Sequence, residues 1–393
     1  MKNPSTTVAS AELAPHHFAA STLLSLVVFA AITPLLLLVA PAVAAQLGSQ
    51  LGLSASQVGT YFFVELGAFS CATLPAFLWL GRVDARRVAA YAVALFCAGN
   101  FATAVLIPAF AGLLVLRAIT SLGGGTLMVL CMTSAATSAN RDRVYGLWVV
   151  GQLLAGAVGL LVLPHLFGQF GLRALYVVLG LLGLCAAPLT RGFDPAVGRM
   201  PRSQSKVDKG SASFTTIANT VLVIGGVLAF YVAIGGVWTF ASKAAALAGL
   251  DAAHTGEALA VASVMGIVGA ACASLVAGRV TRLAMLLTGY ALLAGSLAGL
   301  AMVPGTMGFM AAVFVFKFAW TFVLPFILAA AAKHDRSGRL IASLNLVIGA
   351  GLAAGPLMAG VLLDMGASLA TLFAGAALIS VLSSACLLRV ERH

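Results

Sequence analysis

The chain has 393 residues, 61% of them hydrophobic and 8% charged, with a formal net charge of +11. A soluble domain carries about 25% charged residues, so this chain has too little polar surface for water and its solvent is lipid. The positive charge does not mark a nucleic-acid binder, because the basic residues lie in short segments between apolar runs rather than in one patch.

The apolar runs are continuous over about twenty residues, the length at which a helix crosses ~30 Å of hydrocarbon. Barrel strands would alternate over about ten. In chain order the predicted spans are 18–42, 57–80, 88–107, 109–136, 144–166, 172–190, 216–241, 256–277, 283–303, 307–331, 340–363 and 367–388. Gln46–Gln57, rich in Ser, Gly and Gln, reads as a loop between the first two. The amino-terminus does not read as a cleavable signal, since only Lys2 precedes Glu12 and no small-residue cleavage site follows a short apolar region. All six cysteines fall inside spans without ligand-like spacing, which suits small apolar packing residues rather than a metal site or disulfide framework.

With an internal amino-terminus, the even-numbered loops and the termini hold 18 of the 22 basic residues. The opposite loops hold only Arg173 and Lys243, and Arg117 and Lys317 lie within spans. By the positive-inside rule both termini are cytoplasmic and the protein is a multi-pass resident of the cytoplasmic (inner) membrane. Arg191–Phe214, with Pro, Ser, Gly and five cations, reads as a cytoplasmic linker between two six-span halves. The predicted units are 1–190, the linker 191–214, and 215–393.

The halves repeat. Leu80-Gly81-Arg82-Val83-Asp84 after span two matches Ala277-Gly278-Arg279-Val280-Thr281 after span eight, and Arg141-Asp142-Arg143 matches His334-Asp335-Arg336, at offsets of 197 and 193 residues. The loop Gly81-Arg82-Val83-Asp84-Ala85-Arg86-Arg87 resembles the cytoplasmic signature of the major facilitator superfamily, with Asp three residues after Gly rather than four and the second Gly absent. Arg117 followed by Gly123 and Gly125 in span four is similar to that family's Arg-then-glycines pattern, with Ser121 in place of the first glycine. Phe170-Gly171-Leu172-Arg173-Ala174-Leu175-Tyr176 looks like its approach to span six. Span five has Gly151, Gly156 and Gly159 but not the Gly-Pro pair of similar antiporters; Gly355-Pro356 stands instead in span eleven.

The resemblance covers nearly the whole chain and implies an all-α membrane protein of twelve helices in two pseudo-symmetric six-helix bundles. It implies a monomeric secondary transporter working by alternating access on a small solute, without cofactor, nearest to drug:proton antiporter-like and sugar-efflux-like members. It makes Gly81, Asp84, Arg86 and Arg87 a cytoplasmic gate, Gly123, Gly125, Gly156, Gly355 and Pro356 packing positions, and Arg117 a coupling residue.

Ionisable residues inside spans are the functional candidates, because a charge in hydrocarbon costs several kcal/mol unless it faces a partner or water. Arg117 lies ~13 Å and Lys317 ~16 Å along their helices at helical rise. The repeat places them on corresponding spans, so two cations would face one cavity, suiting an anionic solute; the alternatives are an Arg satisfying backbone carbonyls and a Lys stretched to the interface. Glu65 is the acid well inside a span and the first candidate to carry a proton, the alternative being an acid paired with Arg117. Tyr61, Asn100, Gln152, Tyr231, Trp238, Trp320 and Asn345 are further polar candidates, with Tyr61, Gln152, Trp238 and Asn345 joining Arg117 and Lys317 in the expected solute site.

The chain has no GxxxxGK[ST] loop, so ATP is not the direct energy source. A membrane enzyme would need a clustered catalytic set, whereas all six histidines lie at span ends or termini. The expected function is proton-coupled efflux of an amphipathic solute; the alternatives are import of a small organic anion and a receptor or scaffold with a transporter-like body. Basic loops against anionic lipid are topology signals first. The charge pattern predicts that, in intact cells, an impermeant thiol reagent labels Ala253→Cys and spares Val83→Cys; the reverse pattern would invert the orientation.

Overall fold

The structure is a computed structural model that describes residues 20–80, 82–107, 109–136, 138, 141–195, 197, 214–303, 305–333 and 339–392. Gly81, four of the five linker cations (Arg199, Arg202, Lys206 and Lys209) and the His334-Asp335-Arg336 half of the second repeat lie outside the described residues.

Span one is three helices, α1 (Ala20–Ile32), α2 (Leu35–Leu38) and α3 (Ala40–Leu51). Span two is α4 (Ala55–Cys71) and α5 (Thr73–Trp79). Spans three to five are α6 (Ala85–Leu106), α7 (Phe110–Ala135) and α8 (Arg141–Phe170); span six is α9 (Arg173–Ala186), ending in a 3₁₀ turn over Ala187–Gly192. Span seven is α10 (Phe214–Thr239) and α11 (Ala241–Leu247). The last five are α12 (Ala252–Val276), α13 (Arg282–Ala301), α14 (Thr306–Lys333), α15 (Arg339–Asp364) and α16 (Leu369–Arg392). Eleven of these stretches are long and apolar enough to cross a membrane, and α1 begins the twelfth crossing. The fold is all-α, two pseudo-symmetric bundles of six.

The first loop is far shorter than Gln46–Gln57. Helix α3 continues through Gly48 to Leu51, because no proline interrupts that polar stretch and Gln46 Nε2 donates to Gln50 Oε1 one turn on, at 2.7 Å. Gly52 then ends the helix in the left-handed region at φ 63°, where only glycine sits without strain. Ser54 opens α4 through a capping box with Gln57.

Spans one and seven break at equivalent points. Val39 (φ −100°, ψ 15°) and Phe240 (φ −100°, ψ 13°) interrupt their helices 201 residues apart. In span one the break is chemical. Pro41 has no N–H, so the Leu37 carbonyl loses its donor four residues on, while the Ala42 N–H turns to Val39 O at 3.1 Å. Gly235 and Gly236 lie within α10 against α15, and the bend comes at Phe240 instead.

The halves meet along α4 with α15 and α8 with α12. Glycines make the first seam: a Cβ on Gly59 would collide with the Pro356 carbonyl, and one on Gly360 with that of Ala55. Within each half the same device recurs. Gly123 faces the Ala92 carbonyl, Gly125 that of Phe69, Gly156 the Leu38 side chain, and Gly355 the Val232 carbonyl. Gly125→Ala should therefore lower the thermal unfolding midpoint in detergent through overpacking of ~1–3 kcal/mol. Gly67→Ala, where a methyl meets nothing within 4 Å, should leave it unchanged or raise it.

Candidate functional site

Two buried charge centres and one cavity occupy the middle of the bundle. In the first half, Arg117 of α7 is 1% exposed and Glu65 of α4 is 6% exposed. Arg117 donates from Nε to Glu65 Oε2 at 2.8 Å and from Nη2 to Oε1 at 2.7 Å, a two-pronged ion pair. Its Nη1 donates to Asn100 Oδ1 of α6 at 2.9 Å, and Asn100 in turn donates to Phe96 O. The guanidinium lies 5.0 Å from the centre of the Tyr176 ring of α9, and the Tyr176 and Tyr61 hydroxyls share a hydrogen bond of 2.9 Å. Four helices are tied through one side chain. Removing either partner of such a pair leaves an uncompensated buried charge, at a cost of ~3–5 kcal/mol.

In the second half, Lys317 of α14 is 2% exposed. Its Nζ lies 3.9 Å from the ring centre of Trp238 in α10 and 4.1 Å from that of Trp320 in α14. Each desolvated cation–π contact contributes ~2 kcal/mol. Among the described residues no carboxylate pairs with Lys317. The Trp238 indole N–H reaches across to the first half and donates to Leu37 O at 3.2 Å and Leu38 O at 3.3 Å, carbonyls at the break in span one.

A cavity of about 140 Å³ runs from Glu65 toward the Asp84 end of the bundle, between α2, α4, α7 and α15. Its wall is mostly apolar, with Leu36, Leu37, Leu66, Phe69, Met128, Ile348 and Leu352, and its polar groups include Glu65, Ser70, Thr73 and Asn345. Arg117 and Lys317 do not share this cavity; each lies in its own half.

Of the other expected solute-site residues, Tyr61 joins the Arg117 cluster and Trp238 the Lys317 cluster. Asn345 is on the cavity wall and donates to Met132 Sδ at 3.4 Å; Gln152 stands apart from both centres, donating to Ala30 O at 2.9 Å. At the expected gate, Asp84 caps α6 by accepting the Arg86 N–H, and Arg86 Nε donates to Phe193 O at 2.8 Å, joining the start of α6 to the segment after span six. Arg87 is exposed.

A polar latch closes the opposite end. Asp364, the last residue of α15, accepts from Ser54 Oγ at 2.6 Å, Ala55 N at 3.0 Å, Ser56 N at 2.9 Å and the Ser56 hydroxyl, holding the first turn of α4. The exposed N–H groups of a helix start favour an anion. Asp364 is not among the site candidates drawn from the sequence. The available signal was an acid at a helix carboxy-terminus, where the helix dipole opposes it and an outside partner is needed. Tyr176 was seen only within a family motif, and nothing in the local sequence marks it as an arginine's platform. Two clefts of about 370 and 280 Å³ flank α3 near this latch. Asp364→Ala should loosen the seam, so that Val58→Cys in a background without native cysteines reacts several-fold faster with a soluble maleimide. An unchanged rate would mean that helix packing alone holds it.

The Major Facilitator Superfamily profile matches residues 18–335. No curated protein matches by sequence. Among solved structures, the nucleoside transporter NupG superposes with a TM-score of 0.72 at 12% identity, over 95% of this chain and 100% of that one. A bacterial homolog of the human lysosomal transporter Spinster, in an inward-facing and unoccupied conformation, superposes with a TM-score of 0.67 at 14% identity, over 94% and 96%. At such identities the likeness shows a shared fold, and with the profile match, twelve crossings and duplicated halves it shows that the chain belongs to the major facilitator superfamily, as a membrane transporter and not an enzyme.

Proposed function

We propose that the protein is a monomeric, proton-coupled secondary transporter of the cytoplasmic membrane, moving a small amphipathic solute outward by alternating access between its two halves. The reading rests on one observation: Glu65 forms part of the wall of a cavity between the halves while both its oxygens are held by Arg117. A proton on Glu65 removes the anion from the pair and leaves Arg117 charged in a low-dielectric site, with only the Asn100 oxygen and the Tyr176 ring as company. The bundle must then rearrange or lose the proton again. That conditional instability links protonation to a change of conformation.

The surrounding architecture fits this role. The apolar wall suits an amphipathic solute. The charge distribution puts the Asp84 end and both termini in the cytoplasm, so Asp84, Arg86 and Arg87 belong to the inner gate and the Asp364 latch to the outer one. Residues 1–190 and 215–393 act as the two moving bodies, joined by the basic 191–214 segment.

In proteoliposomes with an imposed pH gradient, a transported member of a panel of organic acids and drugs should move protons across the bilayer. Glu65→Gln should abolish that proton movement and retain solute exchange. Proton flux unchanged in Glu65→Gln would remove Glu65 from the coupling role.

A further inference from the structure

The two charge centres differ in one respect: Arg117 has its anion and Lys317 does not. Glu65 and Arg117 cancel, so among the described residues the interior is left with one buried lysine whose ammonium form has only ring quadrupoles to hold it. Aromatic faces orient and partly stabilise a cation, but they do not neutralise it and they accept no strong hydrogen bond from its three N–H donors. A buried charge without a partner in a protein that binds solutes is a place for the solute's own charge.

The position of the box supports this. Leu37 both lines the cavity and supplies the carbonyl that receives the Trp238 N–H, so the box abuts the cavity wall through span one. That contact belongs to the break at Pro41 and joins the two halves, so it opens when they part. Parting exposes the Lys317 ammonium and frees the Trp238 indole N–H as a second donor to the same ligand. One monovalent cation without an Arg fork balances a monoanion rather than a phosphate dianion. The cavity, about 140 Å³, is close to the roughly 150 Å³ apolar void that takes up a benzene molecule.

We propose that Lys317 is the anion-binding group of the transport site, with Trp238 and Trp320 as its walls, and that the transported solute is an amphipathic monocarboxylate with an apolar body of about one ring. The proposal rests on the cavity between the halves being the transport site, as above, and names the class of solute.

The test is equilibrium binding to the full chain in nanodiscs, without any gradient. In a Trp79→Phe, Trp148→Phe background, Trp238 and Trp320 report fluorescence as benzoate, phenylacetate and cyclohexanecarboxylate are titrated against their neutral amides. The acids should quench saturably and bind at least about tenfold more tightly than the amides. Lys317→Gln should erase the preference, and Lys317→Arg, which keeps the charge between the rings, should retain it. Equal binding of acids and amides, a preference that survives Lys317→Gln, or no binding of any acid would overturn the proposal. Those failures leave gradient-driven proton movement untouched, whereas intact acid binding without proton movement would count against the coupling reading alone.

Discussion

A charge inside a bilayer must find its opposite or be costly, and the pairing of Arg117 with Glu65 is where this protein meets that constraint most completely. Both carboxylate oxygens are used, and the remaining guanidinium prong goes to Asn100. Helices α4, α6, α7 and α9 are thereby fixed to one another at the depth where a solute would cross. The same pair also touches the cavity through Glu65. A single interaction is therefore both the keystone of the first half and its charged border with the cavity.

The two halves follow one plan but use charge differently. The breaks at Val39 and Phe240 have nearly the same backbone angles, so the duplication extends to local geometry. Chemistry at the matched centres has diverged: an internally compensated ion pair in one half, a lysine between two indoles in the other. Trp238 links them mechanically, since its N–H satisfies carbonyls left exposed by the break in span one. At the far end Asp364 holds the start of α4 by several hydrogen bonds, which are solvent-accessible and therefore exchangeable. Glycine contacts bring the backbones of α4 and α15 together along the seam, and polar contacts at its ends set whether it stays shut.

Span number, span order and the repeat were legible in the sequence because lipid imposes a strong, one-dimensional signal of twenty apolar residues between charged loops. The end of span one was not, because a stretch such as Ala-Gln-Leu-Gly-Ser-Gln is equally at home in a polar helix end and a loop until Gly52 stops it. Glu65, Arg117 and Lys317 stood out as ionisable residues in apolar runs. Pairing with Arg117 was one of the two readings open for Glu65, and the structure shows that pair; the expectation of two cations facing one cavity from opposite halves followed from the repeat, but neither Arg117 nor Lys317 lines the cavity between the halves. Packing partners come from helix rotation, which composition does not encode. Tyr176 and Asp364 were hidden for that reason, as one depends on a neighbour from α7 and the other on a neighbour 308 to 310 residues earlier.

The pairing itself is tested most directly by a double-mutant cycle on thermal stability in detergent, comparing Glu65→Gln, Arg117→Gln and the two combined. If the two charges hold each other against desolvation, the double variant unfolds at a higher temperature than the Arg117→Gln or Glu65→Gln variant alone, because each single variant leaves a lone charge in the core and the double variant leaves none. Losses that simply add would show that Arg117 and Glu65 are stabilised separately, and the keystone role assigned to their contact would be wrong.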